Sequence, residues 1–129
     1  MEPRGSAILI VEDDPAIREL LQKLFRTEGY TVEEAPDCAS GLARIEAGGV
    51  DLVLLDLLLP DGNGLDLCRQ VRARATERHL PIIVLSVAME GHKPQDCLAA
   101  GADDFIEKPF DLVDLLDRIR AQLERFPSQ

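Results

Sequence analysis

Five short runs rich in Val, Ile and Leu, each followed by a stretch of helical periodicity, leave this chain few folds to choose from. The first run, Ala7 to Val11, is almost continuously apolar. It leads into Pro15 to Glu28, where Ile17, Leu20, Leu21, Leu24 and Phe25 share one helical face and Gly29 supplies a stop. Tyr30 to Ala35 alternates like a strand with one wetter side. Asp37 then caps a helix to about Ala47, closed by Gly48-Gly49. Asp51 to Leu55 is the third strand, and Leu59-Pro60-Asp61-Gly62-Asn63-Gly64 after it is dense turn chemistry. Leu65 to Arg78 is predicted as helix, with Leu65, Cys68 and Val71 inward and four arginines facing solvent. Pro81 to Leu85 is the fourth strand, and Pro94 opens a short helix that ends at Gly101. Asp104 to Glu107 is a brief fifth strand. Asp111 to Arg125 is amphipathic, with Leu112, Leu115, Leu116, Ile119 and Leu123 on one side.

Strict alternation of strand and helix implies an α/β fold: a parallel sheet with helices on both faces. Only strands buried on both sides read so continuously apolar. The expected organisation is one domain over 7–125, a short polar tail over 1–6, and a tail or linker start over 126–129. Three cysteines, Cys38, Cys68 and Cys97, are odd in number and lack metal-ligand spacing, which predicts small core residues in a reducing cytoplasm. No signal-peptide pattern opens the sequence, and its apolar runs are strand-sized, well below the ~20 residues that span a bilayer. The expectation is a cytoplasmic protein without a membrane segment. A formal charge of -10 repels phosphate backbones, so no nucleic acid is expected to bind this domain, and it hints at acids gathered for a cation.

In open parallel sheets ligands sit beyond the carboxyl ends of the strands. The residues there are Glu12-Asp13-Asp14 after the first strand, Asp56 after the third, Ser86 after the fourth and Lys108-Pro109 after the fifth. Carboxylates crowded together repel unless a cation joins them, and magnesium favours oxygen ligands that include one or two carboxylates. Asp13 and Asp56 suit direct ligation, Glu12 ligation through water, and the backbone carbonyl of Leu58 a further position. Glu12, Asp13 and Asp56 would then be balanced by magnesium and Lys108. An aspartate so held can attack phosphorus, with Lys108 stabilising charge on the transferring group and Ser86 donating to a phosphoryl oxygen. Asp14 is expected only to cap the first helix. His79 and His92 lie in polar surroundings and are expected to be solvated, without a role.

Taken together, these motifs resemble the receiver domains of bacterial two-component response regulators. The resemblance is carried by Ile8-Leu9-Ile10-Val11-Glu12-Asp13-Asp14, Asp51 to Asp56, Leu59 to Gly64, Pro81 to Ser86, and Gly101 to Phe110, in order and across nearly the whole chain. It implies a doubly wound, flavodoxin-like (βα)5 fold with strand order 2-1-3-4-5. It also implies phosphorylation of Asp56 by a histidine kinase or histidine phosphotransfer protein. Glu12, Asp13, Asp56 and the Leu58 carbonyl match the family's magnesium site, and Lys108 its phosphate-contacting lysine. Ser86 and Phe105 match its switch residues, and Pro109 a proline preceded by a cis peptide bond. The face of the fourth helix, fifth strand and fifth helix would signal to an output domain or partner, and a homodimer could use it. On this resemblance the chain promotes its own phosphorylation and dephosphorylation and is not a turnover enzyme.

Two positions depart from the family pattern. Val87 stands where a small residue is usual, and Pro94 where DNA-binding regulators that dimerise through that face carry a basic residue. A rival class is a hydrolase with an aspartate nucleophile, of the haloacid-dehalogenase type. Those enzymes place a second acid two residues after the nucleophile, where this chain has Leu58. A nucleotide-binding module is disfavoured because no glycine-rich loop follows the first strand.

Overall fold

In the computed structural model, which describes residues 5–74, 78–87 and 94–127, the five apolar runs line up as one parallel sheet. Its strands are β1 (Ala7–Val11), β2 (Thr31–Ala35), β3 (Leu52–Asp56), β4 (Ile82–Val87) and β5 (Asp104–Lys108), ordered β2-β1-β3-β4-β5. The register sets Ile10 opposite Leu54, Leu54 opposite Ile83, and Asp56 opposite Leu85. Alternate side chains point to opposite faces, so the central strands feed two cores at once. On one face Leu9, Val11, Val53, Leu55 and Val84 meet Ile45, Leu67, Cys68, Val71 and Cys97. On the other, Ile8, Ile10, Leu52, Leu54, Ile83 and Leu85 meet Leu21, Phe25, Leu115, Ile119 and Leu123. Each fully buried Leu, Ile or Phe contributes on the order of 2 kcal/mol of hydrophobic stabilisation.

The helices are α1 (Pro15–Thr27), α2 (Cys38–Glu46), α3 (Gly64–Ala73), α4 (Pro94–Ala99) and α5 (Leu112–Arg125). Asp14, Asp37, Asn63 and Asp111 cap α1, α2, α3 and α5, each accepting from a first-turn amide. After α1 the chain turns through Gly29 at φ 94, a left-handed conformation that glycine adopts without strain. The Lys108–Pro109 peptide bond is cis. Cys68 and Cys97 are buried and Cys38 half-buried, and all three thiols are free. Burial pushes the Cys68 thiol up to about 11, which suits an inert core residue.

Three expectations need correction. The third helix ends at Ala73, not near Arg78. Nothing in Arg74 breaks a helix by propensity; beyond it, Arg78 pairs with Asp51 at 2.8 Å. Nor do all four arginines face solvent. Arg72 donates to the carbonyls of Gly101 and Leu80 at 2.8 and 2.6 Å and pairs with Asp103 at 2.7 Å. His79, in turn, is not merely solvated: its Nε2 lies 2.8 Å from Asp103 Oδ1, and its ring centroid lies 4.2 Å from that of Phe126. The expectation for His92 falls outside the described residues.

Candidate functional site

Two adjoining strands, β1 and β3, deliver the acidic residues to one edge because each apolar run ends where its first charged side chain emerges. Glu12 follows β1 directly, its amide donating to the Ala35 carbonyl at 3.0 Å, and only 2% of it is exposed. Asp56 closes β3 and is also buried, whereas Asp13 is exposed. One carboxylate oxygen from each of Glu12, Asp13 and Asp56 lies within 4.8 Å of the others. Lys108 closes β5, with Nζ 2.8 Å from Glu12 Oε1 and 3.6 Å from Asp56 Oδ1. Two of the three carboxylates, Glu12 and Asp56, thus share one ammonium group, and Asp13 has no cation beside it among the described residues. Burial holds the Glu12 carboxyl above its ordinary value; Lys108 pulls it down and Asp56 pushes it further up. For Lys108, burial favours loss of the proton, but the hydrogen bond to Glu12 and the charges of Asp56 and Glu12 outweigh it, raising its pKa and keeping it cationic. A dense oxygen donor set with surplus negative charge fits magnesium, a hard divalent ion.

The loops around this cluster are tightly tied. The Asp14 amide reaches Glu12 Oε2 at 3.3 Å, and Arg18 Nη1 donates to the Glu12 carbonyl at 2.7 Å. After Asp56, Leu58–Leu59 pairs antiparallel with Gly62–Asn63 in a small ladder, which the turn-rich sequence did not announce. The Gly64 amide then donates to the Leu57 carbonyl at 2.7 Å. A Cβ on Gly64 would lie 2.4 Å from the Asp56 carbonyl oxygen, so only glycine lets α3 start against the back of Asp56. Its φ is not in the left-handed region, so the requirement is space rather than backbone freedom. The Asp61 carboxylate accepts from the Cys38 and Ala39 amides at 2.7 and 3.0 Å, tying this loop to the start of α2.

The structure thus brings Glu12, Asp13, Asp56 and Lys108 together, with Leu58 in the loop beside them. Asp14 caps α1, its Oδ1 2.9 Å from the Ala16 amide. Ser86 is fully buried one residue past Leu85, the partner of Asp56, and its hydroxyl donates to the Val87 carbonyl at 3.3 Å. Phe105 does not join the cluster; it is half-buried beside Val84 and packs on the core under α2, α3 and α4. Sequence reasoning missed Arg18, Asp61 and the spatial role of Gly64. Arg18 had a detectable signal, an arginine one turn into the helix that follows the acidic motif, whereas the contacts of the other two depend on tertiary packing.

Comparison with known proteins agrees with this fold. Residues 8–120 match the family described as the response regulator receiver domain. Response regulator ArlR of Staphylococcus epidermidis is 42% identical over 122 residues, 95% of this chain and 54% of that protein. Among solved structures, a putative response regulator from Chloroflexus aurantiacus superposes with a TM-score of 0.87 at 32% identity, covering 95% of this chain and 100% of that one. The receiver domain of the TMAO respiratory system response regulator TorR gives 0.84 at 38% identity, covering 94% and 98%. The chain belongs to the receiver domain family of two-component response regulators. It spans about half the length of the curated relatives it matches. No helix among the described residues is long and apolar enough to cross a membrane.

Proposed function

We propose that this receiver accepts a phosphoryl group on Asp56 from a histidine kinase or histidine phosphotransfer protein, with magnesium bound by Glu12, Asp13, Asp56 and the Leu58 carbonyl. The observation that carries the reading is the cluster of three carboxylates, two of them paired with one lysine, which has more negative charge than the described residues neutralise. Bound magnesium would supply charge neutralisation to the phosphoryl oxygens and the carboxylate. An Asp56 carboxylate oxygen forms the new bond to phosphorus as the bond from phosphorus to the donor's histidine nitrogen breaks, its electron pair leaving with the imidazole. Lys108, held cationic beside Asp56, stabilises the charge on the transferring group. Water reverses the modification by attacking phosphorus, which releases Asp56 and inorganic phosphate. The chain acts once per phosphoryl group and does not turn over external substrates.

Phosphorylation brings charge and acceptor oxygens to within reach of Ser86, whose hydroxyl is now spent on a long bond to Val87. Rotation of that hydroxyl, followed by inward movement of half-buried Phe105, carries the state to the α4–β5–α5 surface. An output domain, a partner protein or a second copy of the chain would read that surface, in the cytoplasm where kinases of this class act.

The test is intact-mass measurement after incubation with acetyl phosphate. One phosphoryl group per chain is expected with magnesium, none after chelation, and none in Asp56→Asn. Labelling that persists in Asp56→Asn would overturn the assignment. Continuous release of phosphate from a simple ester would favour an aspartate-nucleophile hydrolase instead.

A further inference from the structure

We infer that Arg18 is a positioning residue for the magnesium site, holding the β1–α1 loop in a metal-ready shape through the Glu12 carbonyl. This rests on the magnesium reading above. Each polar group of Glu12 has a partner. Its amide meets the Ala35 carbonyl, Oε1 meets Lys108, Oε2 meets the Asp14 amide, and its carbonyl accepts from Arg18 Nη1 at 2.7 Å. Asp13, the next residue, is exposed and has no hydrogen-bond or ion-pair partner among the described residues, so its backbone alone places its carboxylate. That backbone begins at the carbonyl that Arg18 grips.

The grip is needed because the three clustered carboxylates repel one another when no cation joins them. Recoil of the β1–α1 loop away from Asp56 would relieve that repulsion and spread the ligands. Arg18 opposes it from a fixed base: its Nε lies 3.3 Å from Glu34 Oε1 on β2, so one guanidinium links α1, β2 and the loop. Glu34 also neutralises Arg18, which limits the repulsion a cationic side chain would otherwise exert on a bound metal.

This arrangement makes an uncommon prediction of direction. By charge alone, removing a cation beside a metal site tightens metal binding; by positioning, it weakens it. Supporting contacts behind metal ligands are typically worth 10- to 100-fold in affinity, so Arg18→Met is expected to weaken magnesium binding about tenfold. Isothermal titration with magnesium chloride, without any phosphodonor, measures this directly. The magnesium concentration for half-maximal labelling by acetyl phosphate should rise by the same factor, while the rate at saturating magnesium stays at the wild-type value. Glu34→Gln keeps the grip on the carbonyl and should change affinity less than about twofold.

Magnesium affinity in Arg18→Met that is unchanged or tighter would overturn the inference. So would an equal loss in Glu34→Gln, which would trace the effect to the ion pair. Asp13→Asn, measured alongside, separates the two levels: if it leaves magnesium binding intact, the metal reading itself fails. Should circular dichroism find Arg18→Met unfolded, Arg18→Gln, which keeps much of the stem, carries the same test with a several-fold loss expected.

Discussion

At the carboxyl ends of β1, β3 and β5, three clustered carboxylates, Glu12, Asp13 and Asp56, have one ammonium group, which reaches only Glu12 and Asp56; at the amino ends, Asp51 and Asp103 each meet an arginine and a backbone amide. Asp103 accepts from Arg72 at 2.7 Å and from the Ile82 amide at 2.8 Å, with His79 on its other oxygen. Asp51 accepts from the Ala7 amide at 2.7 Å and pairs with Arg78 at 2.8 Å. Both poles are acidic in sequence, yet one is neutralised by arginines and backbone amides, while among the described residues the other has one lysine for three carboxylates. A satisfied carboxylate fixes where a strand starts. A crowded, under-neutralised set costs stability, a cost that a bound cation would offset on the function proposed above.

The largest effect is expected where that contrast is tested by neutralising one acid at each pole. Asp103→Ala strands Arg72 and the Ile82 amide and should destabilise the fold by about 3 kcal/mol in urea denaturation. Asp13→Asn removes repulsion at an exposed position and should raise the midpoint of the metal-free protein, by less than ~1 kcal/mol. Loss of stability in both variants would erase the distinction between the poles. Gly64→Ala comes next. Its new methyl would lie 2.4 Å from the Asp56 carbonyl, and the backbone shift it forces should cost about 2 kcal/mol. Wild-type stability and labelling in that variant would mean that α3 is free to move away from Asp56.

The alternation of strands and helices and the gathering of Glu12, Asp13, Asp56 and Lys108 were legible because they follow from local pattern. Apolar runs set the strands, and the parallel order sends their ends to one edge. The ladder at Leu58–Leu59 and Gly62–Asn63, the early end of α3 and the partners of Arg72 and His79 were not. The partners of Arg72 and Asp61, which are Asp103 and the start of α2, are distant in sequence, and the demand on Gly64 comes from its approach to the Asp56 carbonyl. Side-chain propensity at Arg74 favours helix, yet the helix ends one residue before it.

The pH response sharpens the same comparison with a smaller effect. Burial raises Glu12 above 4.5 in the folded, metal-free protein. Below that value both states hold the proton and its burial carries no charge penalty. As pH rises through the higher folded value, the unfolded chain releases its proton first, and metal-free stability falls. Glu12→Gln lacks this decline, so its stability relative to wild type should grow as pH rises above 4.5. Magnesium favours the ionised carboxyl and should reduce or reverse the difference. A flat difference without metal would mean that Lys108 fully compensates the burial of Glu12. That would leave the site pole as neutralised as its opposite.

The smallest expected effect concerns Val87, which sits at the rim of the site in register with Lys108 and is 39% exposed. Its branched side chain follows the buried Ser86, and on the function proposed above it would narrow the approach of water to a phosphoryl group on Asp56. Val87→Ala removes two methyl groups from that approach without touching a carboxylate or Lys108. The acyl phosphate should therefore be lost a few-fold faster, corresponding to less than ~1 kcal/mol in the barrier. The decay is followed by intact mass after the phosphodonor is removed. Magnesium affinity should be unchanged, since the residue supplies shape rather than charge. An acyl phosphate that lasts as long or longer in the variant would mean that water arrives from the exposed Asp13 side. Control of its lifetime would then lie with the under-neutralised carboxylates themselves rather than with the apolar rim around them.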